Sequence, residues 1–486
     1  MSARATWWLA GAVLCVAAGA STHAKGDARV LERAAMHLGL RGSVPLDSLE
    51  YEASGRYFQF GQAPAPELPW PEFAVDHYVA TLDFARNAVH TKYHRVQVQE
   101  AGRARPYSEQ TMDQYARDGV TWNMVPGPVA MPVNRVERAA ELWGSPQGFV
   151  SAALENDPVI EVRKDGSARV SYVGGKHRFE GELNAAGDVT RFRTIMDSPV
   201  LGDTPIEFRY SEYRDFNGMR FPALIERQVA GLPWYRLTVS DVRVNTAQPF
   251  ATPADIAANP EPPVAPVEVS ELAPGVLLFG GGTHNSVVVE QRAGIVVIEA
   301  PLNEERSAHI LSNIRRRFGD QKILGVINTH AHFDHAGGLR AFVAEGVPVI
   351  THARNAAYYK TAWKQPRTLA PDRLSQSSRA ASFQTFTDVL RLDDADRPIE
   401  IHAIAGSGHN DAFAMVYLPK QRILVEADAW TPTPPGAKPP ASVNPLWLNL
   451  HENIQRLKLD VQTFAPLHGS PQTRDAFLAA IGVRSP

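Results

Sequence analysis

Three histidines and one aspartate fall within six residues in the second half of this chain. The string His330-Ala331-His332-Phe333-Asp334-His335 directly follows an apolar run at residues 323–327 and a short polar step, and precedes two glycines. Imidazole and carboxylate groups are common metal ligands. His330 and His332, two residues apart on an irregular turn, can direct both rings at one ion, which places Asp334 and His335 beside a second ion. The string therefore predicts a metal site.

A site for two metal ions needs more ligands than this string supplies. Three single polar residues elsewhere follow or precede predicted strands, where loops of α/β domains carry chemistry. His409 begins a predicted hairpin, Asp428 ends its second strand, and His468 follows a further apolar stretch. These three residues are the candidates for the remaining ligands.

Strand and helix patterns alternate over residues 267–486, the part of the chain that carries all of these candidates. Hairpins are predicted at 286–290 with 295–299 and at 412–418 with 422–426, strands at 323–327 and 347–350, and helices at 304–318, 338–344 and 353–360. Hairpins mixed with strand–helix alternation are typical of a layered α/β domain. The Pro-rich stretch 246–266 precedes it and is predicted to be a stiff, extended linker.

The N-terminal part, residues 25–245, is rich in strand and turn patterns. A meander is predicted from a hairpin at 159–163 and 168–173 followed by strands at 177–183, 189–196, 206–213, 221–228 and 235–244, with helices at 27–38 and 106–118. This pattern resembles the half-barrel of outer-membrane lipoprotein carriers. The resemblance implies a curved sheet with an apolar concave face, and a β-rich scaffold without a ligand is the alternative.

The first residues have the three parts of a secretory signal. Arg4 gives a positive start, an uncharged apolar run follows, and small residues precede possible cleavage sites, which predicts a signal peptide over residues 1–24. The single cysteine of the chain, Cys15, lies within it, so a metal in the mature protein would be held without thiolates. We expect a periplasmic or secreted protein with no membrane-spanning segment after the signal is removed.

The composition indicates which class of partner the protein binds. The chain has 486 residues and a formal net charge of -3, which disfavours nucleic acid as the main partner. We therefore expect a small-molecule substrate, and the sequence leaves the oligomeric state open. Ten of the 16 histidines lie after residue 266, and five of those ten are among the candidate ligands above.

The string together with His409, Asp428 and His468 resembles the metallo-β-lactamase fold superfamily over the whole of residues 267–486. The resemblance implies an αββα sandwich, and hence an α/β chain in which that sandwich follows the separate β-rich domain. It also implies a first metal held by His330, His332 and His409. Asp334, His335 and His468 would hold the second metal, with Asp428 bridging. Imidazoles and carboxylates without a thiolate make zinc the expected ion, two per chain.

The implied activity is metal-dependent hydrolysis. Two dications roughly 3.5–4 Å apart share a water and lower its pKa, which gives a hydroxide that attacks an ester, lactone, thioester or related bond. Asp334 would act as the catalytic residue that orients the hydroxide and passes on its proton. Asp411 competes with Asp428 for the bridging position, although Asp428 ends a strand as the bridging residue of the family does.

Two other functions stay open. One is a metallo-β-lactamase acting on β-lactams, although members with this ligand set lack a bridging aspartate. The other is a periplasmic protein that binds an apolar ligand and carries a metal domain without catalytic function.

Two positions depart from the family pattern, and one nearby segment is Pro-rich. Glu299 stands where an aspartate commonly ends the early strand, and Asn410-Asp411 replaces the usual hydroxyl residue.

Residues 431–445, with Trp430 and Trp447 at either end, are predicted to border the site either as an apolar lip or as an ordinary rigid loop. His284, His352 and His451 also lie in this part, and they are predicted to be structural or to support the metal ligands from behind.

Overall fold

The computed structural model describes residues 28–434, 436–437 and 442–483. The predicted signal peptide, residues 1–24, lies outside these ranges. Among the described residues, no helix combines the length and the apolar character needed to cross a membrane.

The N-terminal domain is one antiparallel sheet of 13 strands with three helices. Its elements are α1 (Ala28–His37), β1 (Ser48–Phe58), β2 (Glu72–Asp83), β3 (Ala88–Gln97), β4 (Glu109–Arg117), β5 (Val120–Val125), β6 (Gly127–Ala130), α2 (Arg135–Trp143), α3 (Pro146–Glu155), β7 (Val159–Val162), β8 (Ala168–Gly174), β9 (His177–Leu183), β10 (Val189–Ser198), β11 (Gly202–Phe216), β12 (Met219–Val229) and β13 (Leu232–Val244). A single turn of 3-10 helix, Pro132–Asn134, precedes α2.

The order of the strands runs from the middle of the sheet to one edge, and then from the opposite edge back to the middle. Strand β1 lies centrally, and β2 to β6 step from it to one edge. Helices α2 and α3 follow, and β7 to β13 return from the opposite edge until β13 pairs with β1, with Leu49 opposite Val244. The strands predicted between residues 159 and 244 correspond to β7–β13, whereas no strand was predicted for β1–β6.

The three helices pack on one face of the sheet and fill it. Helix α2 contacts strands of both halves, β2–β5 and β10, so the sheet curves around it. Phe149 of α3 lies so close to β9 that a Cβ on Gly181 would be 2.2 Å from its ring, which explains the glycine in that strand. The cavity lined by Tyr78, Glu141 and Arg227 has a volume of about 20 Å³, room for a water rather than for a lipid-sized ligand.

The helix predicted at residues 106–118 is wrong, because this segment forms β4. Its Glu, Gln, Met and Arg residues have high helix propensity, which favours a helix in isolation. Pairing with β3 on one side and β5 on the other places the segment in the sheet instead. Strand formation here follows from tertiary pairing, which routinely overrides local preference.

The Pro-rich stretch 246–266 is packed against both domains. It contains a short helix, α4 (Ala254–Ala258), and Phe250 contacts the rings of Tyr115 and Trp122. At its other end the carbonyl of Ala265 accepts a hydrogen bond of 2.9 Å from Arg306. The stretch is thus ordered by its contacts as well as by its prolines.

The C-terminal domain contains two sheets and six helices among its described residues. The first sheet has β14 (Glu268–Ala273), β15 (Val276–Gly280), β16 (Ser286–Gln291), β17 (Gly294–Ile298), β18 (Ile323–Ile327), β19 (Val349–His352) and β20 (Phe383–Phe386) in that order. The second has β21 (Val389–Leu392), β22 (Ile399–Ala403), β23 (Ala414–Leu418), β24 (Ile423–Glu426), β25 (Thr463–Pro466) and β26 (Gln472–Thr473). The helices are α5 (Glu304–Phe318), α6 (Phe333–Ala336), α7 (Leu339–Ala344), α8 (Ala353–Ala362), α9 (Pro445–Arg456) and α10 (Arg474–Ala480).

Alternation of side chains explains why this domain has four layers. In β17, Val296 and Ile298 join the core between the sheets, while Ile295 and Val297 join a second core under α5 and α7. A strand covered on both faces is apolar at successive positions, and β17 is buried throughout. Helices α9 and α10 cover the outer face of the second sheet through residues such as Trp447 and Phe477. The result is the αββα sandwich expected from the sequence.

The two domains are joined by a polar contact around residue 367. Arg367 donates to the carbonyl oxygens of residues 198–200, between β10 and β11. Asp203 accepts a hydrogen bond from the Thr368 backbone N–H at 2.9 Å, and Val200 packs in the core under α5. Arg367 is held in place by Asp372, whose carboxylate also binds Arg340.

One buried carboxylate ties the middle of the N-terminal sheet to α2. Glu141 accepts hydrogen bonds from the hydroxyls of Tyr78 at 2.8 Å and Tyr235 at 3.1 Å, and from Arg227 at 3.1 Å. Tyr78 is on β2, Tyr235 on β13 and Arg227 on β12, so these bonds span the β1–β13 seam. Arg227 is buried, and its guanidinium also stacks on Trp234 at 3.9 Å.

Replacing Glu141 by alanine should destabilise this domain strongly. The substitution leaves the Arg227 charge buried without its main partner, which costs about 3 kcal/mol or more. Denaturant unfolding followed by tryptophan fluorescence measures the change in the free energy of unfolding. Glu226→Ala is the matched control, because Glu226 precedes Arg227 on the same strand but forms only a partly exposed pair with Arg236. Equal midpoints for the two variants would contradict the assigned role of Glu141.

The domain contact at Asp372 should be weakened by acid. Burial raises the pKa of this carboxyl, but hydrogen bonds from Arg340 and the Ser375 backbone outweigh burial and lower the pKa from 3.8 to about 2. A carboxyl with a lowered pKa in the folded state adds stability above its unfolded pKa, and that stability is lost as the pH falls towards the folded pKa. At neutral pH the free energy of unfolding of wild type should exceed that of Asp372→Asn by about 1–2 kcal/mol. Denaturation curves from about pH 5 to about pH 2 should show this difference shrink, and a constant difference would contradict it.

Candidate metal centre

The candidate ligands gather at one edge of the two sheets. Each lies at or just beyond the end of a strand, where the backbone leaves the ladder and side chains can converge. His330 to His335 follow β18 and enter α6, His409 lies between β22 and β23, Asp428 follows β24, and His468 follows β25. The parallel strands β24 and β25 end side by side, which brings Asp428 and His468 together.

The side chains form two groups. Within each group, the possible ligand atoms all lie within 4.8 Å of one another. The first group is His330, His332, His409 and Asp428, and the second is His284, Asp334, His335 and His468. Seven of these eight are the residues expected from the sequence. The eighth, His284, was predicted to be structural or to support the ligands from behind. Its Nε2 lies 3.2 Å from Oδ2 of Asp334, and its ring centroid is 4.2 Å from that of His468.

Asp428 lies between the two groups. Its Oδ2 is 3.2 Å from Nε2 of His330 and of His409, and 3.0 Å from Nε2 of His335. Its Oδ1 is 3.2 Å from Nε2 of His468. One carboxylate thus reaches histidines of both groups, which is the placement required of a shared ligand.

Two buried atoms without hydrogen-bond partners support a metal at this place. Nδ1 of His332 has none, and Oδ2 of Asp428 has none of favourable geometry despite three imidazole nitrogens nearby. Unpaired buried polar atoms are costly, and converging lone pairs are satisfied by a cation. The donor set of imidazoles and carboxylates fits zinc.

Glu299 directs two of the histidines. Its Oε2 accepts from Nδ1 of His335 at 3.2 Å and from the hydroxyl of Thr329, whose oxygen lies 3.0 Å from Nδ1 of His330. Both rings therefore present Nε2 to the site. A carboxylate behind a ligating histidine fixes its tautomer and orientation. Glu299 is fully buried and adopts a φ of 73°, a strained conformation for this residue.

Backbone carbonyls direct two further histidines. Nδ1 of His468 donates to the carbonyl of Thr283 at 3.1 Å, so its Nε2 faces Asp428. In His332 the ring is reversed: Nε2 donates to the carbonyl of Ala63 at 2.9 Å and leaves Nδ1 for the site. Ala63 belongs to the N-terminal domain, in the loop between β1 and β2.

The protonation states suit cation binding. Burial and the neighbouring His335 lower the pKa of His330 to about 4, and burial lowers the pKa of His332 well below its usual value. For Asp334, burial opposes ionisation, but the hydrogen bond from His284 and the charge of His335 outweigh it and lower the pKa. Neutral His330 and His332 beside an ionised Asp334 are in the forms that bind divalent metals. For His335, burial opposes the charge, but Asp428 and Glu299 outweigh burial and raise the pKa, so this ring must release its proton when a metal binds.

Several neighbouring residues lie outside the two groups. Asp411, the competing candidate for the shared position, forms an ion pair with Arg103 at 2.8 Å instead. His352 caps the start of α8, and His451 contacts Gln455 on α9. Trp430 is buried against Phe464 and Phe477, so it belongs to the core and not to a substrate lip.

Comparison with known proteins identifies the domain that carries this geometry. The model of the metallo-β-lactamase superfamily matches residues 279–469, which include all eight side chains of the two groups. The C-terminal domain belongs to the metallo-β-lactamase superfamily. The match supports a metal-dependent hydrolase, and the metallo-β-lactamase domain accounts for less than half of the chain.

Relatives match this domain over part of their length. A metallo-β-lactamase type 2 of Elizabethkingia meningoseptica is 27% identical over 141 residues, which are 29% of this chain and 50% of that protein. The 2,4-dinitroanisole O-demethylase subunit beta of Nocardioides sp. (strain JS1661) is 31% identical over 93 residues, 19% of this chain and 29% of that protein. The chain thus spans half or less of the length of these relatives.

Solved structures of similar proteins include a metallo-β-lactamase from Pontibacter korlensis. It is 20% identical, with a TM-score of 0.35, and the match covers 45% of this chain and 98% of that one. A metallo-β-lactamase from Hirschia baltica is likewise 20% identical, with a TM-score of 0.34 and coverage of 46% and 99%.

Replacing His332 by alanine should lower the metal content without unfolding the protein. The substitution removes the unpaired Nδ1 from the first group, while the surrounding sheets remain intact. Elemental analysis after dialysis against a weak chelator measures the bound metal, and far-UV circular dichroism measures the fold. His309→Ala is the control, since His309 lies on the outer helix α5. A His332→Ala protein with the metal content of wild type would show that the site is wrongly assigned.

Proposed function

We propose that this protein is an exported zinc hydrolase that binds two metal ions per chain and cleaves an ester, lactone, thioester or related bond in a small molecule. The first ion would be held by His330, His332 and His409, and the second by Asp334, His335 and His468, with Asp428 shared. His284 belongs to the same group as the second set and is positioned to bind that ion or to hold Asp334.

The shared position of Asp428 carries this proposal. A structural metal site is closed by four ligands around one ion. Here two ligand groups lie side by side and a single carboxylate reaches both, through Oδ2 to His330 and through Oδ1 to His468. This arrangement supports a two-metal hydrolytic site over a structural zinc site.

Two zinc ions bound here would supply a hydroxide nucleophile near neutral pH and would stabilise negative charge on the substrate oxygen. Hydrogen bonds to Glu299, to Thr329 and to the backbone carbonyls behind the rings hold the buried histidines in their orientation. Asp334 is placed to orient the attacking water and to pass its proton to the leaving group, because it lies in the second group and its side chain is 33% exposed.

A β-lactam is the second candidate substrate. The match to the metallo-β-lactamase of Elizabethkingia meningoseptica favours it. The shared Asp428 favours the ester, lactone and thioester class instead, because the β-lactamases with the most similar ligand set lack this aspartate. The third possibility, an apolar ligand in the N-terminal domain, is disfavoured by the helices that fill the curved face of its sheet.

Export and partners complete the proposal. The signal pattern at residues 1–24 supports cleavage and a periplasmic or secreted mature protein. The near-neutral charge supports a small-molecule substrate over nucleic acid. The mass of the mature protein purified from the exported fraction tests cleavage, and a chain beginning at Met1 would contradict it.

Metal analysis combined with a hydrolysis panel tests the proposed activity. We expect about two zinc ions per chain and hydrolysis of at least one ester, lactone, thioester or β-lactam. Activity should be lost with a chelator and restored by zinc. Asp428→Asn should lower kcat by about 100-fold or more, because the variant loses the charge shared between the two metals.

Asp411→Asn is the matched control for Asp428→Asn, since it removes a nearby carboxylate that is paired with Arg103. Its kcat should remain close to that of wild type. Fewer than one zinc per chain, together with no hydrolysis across the panel, would overturn the proposed function.

A further inference from the structure

A loop of the N-terminal domain lies against the metal centre of the other domain. Residues 59–66, here termed the metal-site loop, form the first part of the connection from β1 to β2. Within it Gln62 donates a hydrogen bond of 2.9 Å to Oδ1 of Asp334, and the carbonyl of Ala63 accepts one of 2.9 Å from His332. The same carbonyl accepts from Asn410 at 2.9 Å, beside His409. The loop thus contacts ligands or their neighbours in both groups.

The Ala63 carbonyl determines which nitrogen of His332 is available. A carbonyl can only accept, so Nε2 of His332 must carry the proton that it donates. A neutral ring then has its lone pair on Nδ1, the buried atom without a partner. His330 donates to the hydroxyl oxygen of Thr329 in its own domain, whereas His332 donates to a backbone carbonyl of the N-terminal domain.

Gln62 selects the orientation of the Asp334 carboxylate. With Oδ1 engaged by the amide, Oδ2 is directed at the second group, 3.2 Å from Nε2 of His284 and 3.7 Å from Nε2 of His335. Hydrogen-bonded partners behind a metal ligand typically contribute 10–100-fold to metal affinity. Gln62 is therefore placed to strengthen binding at the second metal position.

The metal-site loop is held rigidly by packing on both domains. The ring of Phe60 lies 4.9 Å from Trp70 and 5.3 Å from Trp234 of its own domain, and 5.1 Å from Phe333 beside the metal ligands. A Cβ at Gly61 would be 2.7 Å from the Phe333 ring, and the φ of this glycine is 77°. The close approach therefore requires glycine at position 61.

A second segment of the same domain supports the His409 loop. Arg105 donates to the carbonyls of Gly408 at 2.6 Å and His409 at 2.9 Å. A Cβ at Gly408 would be 1.8 Å from the carbonyl oxygen of Ala104, so the two backbones are in direct contact. Two separate segments of the N-terminal domain thus position the loops that carry the metal ligands.

We propose that the N-terminal domain is a structural part of the metal centre: the metal-site loop fixes the ligand nitrogen of His332 through Ala63 and the orientation of Asp334 through Gln62. Gln62 is a positioning residue in this account. The inference rests on the proposed function only in requiring that metal binds at the two groups. The inference concerns the affinity for metal and not the identity of the substrate.

Gln62→Ala in the full-length protein tests the inference most directly. Competition with a chromophoric chelator should show that affinity at one of the two metal positions falls about 10–100-fold. The absorption spectrum of the cobalt-substituted protein should change as well, because the geometry of a carboxylate ligand is altered. Gln59→Ala is the matched control, since Gln59 lies on the same loop but is not a hydrogen-bond partner of Asp334. The melting temperature of the metal-free variants should match wild type.

Gly61→Ala provides a second test through the backbone. The added methyl group should push the metal-site loop away from Phe333 and weaken binding at both metal positions. Gly231→Ala is its control: this glycine has a similar φ of 80° in a hairpin of the same domain, with nothing within 4 Å of its Cβ. The control carries the same backbone strain without a collision and should bind metal as wild type does.

The outcomes separate this inference from the proposed function. Weakened metal binding in Gln62→Ala and Gly61→Ala, with both controls normal, supports the inference. Wild-type affinities and cobalt spectra in both variants would overturn it and leave the proposed hydrolase untouched. Failure of the wild-type protein to bind metal would overturn both.

Discussion

Each imidazole of the metal centre needs an acceptor behind it, and this requirement governs the surrounding structure. A neutral ring offers a lone pair to a metal only when its other nitrogen carries the proton and donates it. Glu299 meets the requirement for His335 and, through Thr329, for His330. The strained backbone at Glu299 and its complete burial are consistent with a residue held in place for this purpose.

The gathering of the candidate ligands could be predicted from the sequence because these residues share a chemical type and a position at strand ends. The structure gathers His330, Asp428 and the other expected residues into two adjacent groups. His284 was missed although it also follows a strand, after a run of three glycines. Gln62 offered no signal at all, since a lone glutamine some 270 residues from its partner is indistinguishable from any surface residue.

The fold was predictable where local pattern and tertiary pairing agree. Alternation and Gly turns identified β7–β13, and apolar runs identified β16–β19, β23 and β24 of the αββα sandwich, because burial on a sheet leaves that pattern in the sequence. Residues 109–117 illustrate the limit: their helix-forming composition is overridden by strands on both sides. Trp430 illustrates another, since an aromatic residue beside a metal ligand can equally belong to the core beneath it.

The seam between β1 and β13 has a consequence for how the chain folds. The backbone N–H of Ser48 donates to the side chain of Asn245, 197 residues later, and the strands beside them close the sheet. Such long-range pairing carries a large loop-closure entropy and folds slowly. During synthesis, β1 cannot pair with β13 until β13 has emerged. Until then, each half of the sheet has an unpaired edge. This domain is therefore the part of the protein most exposed to aggregation before its structure is complete.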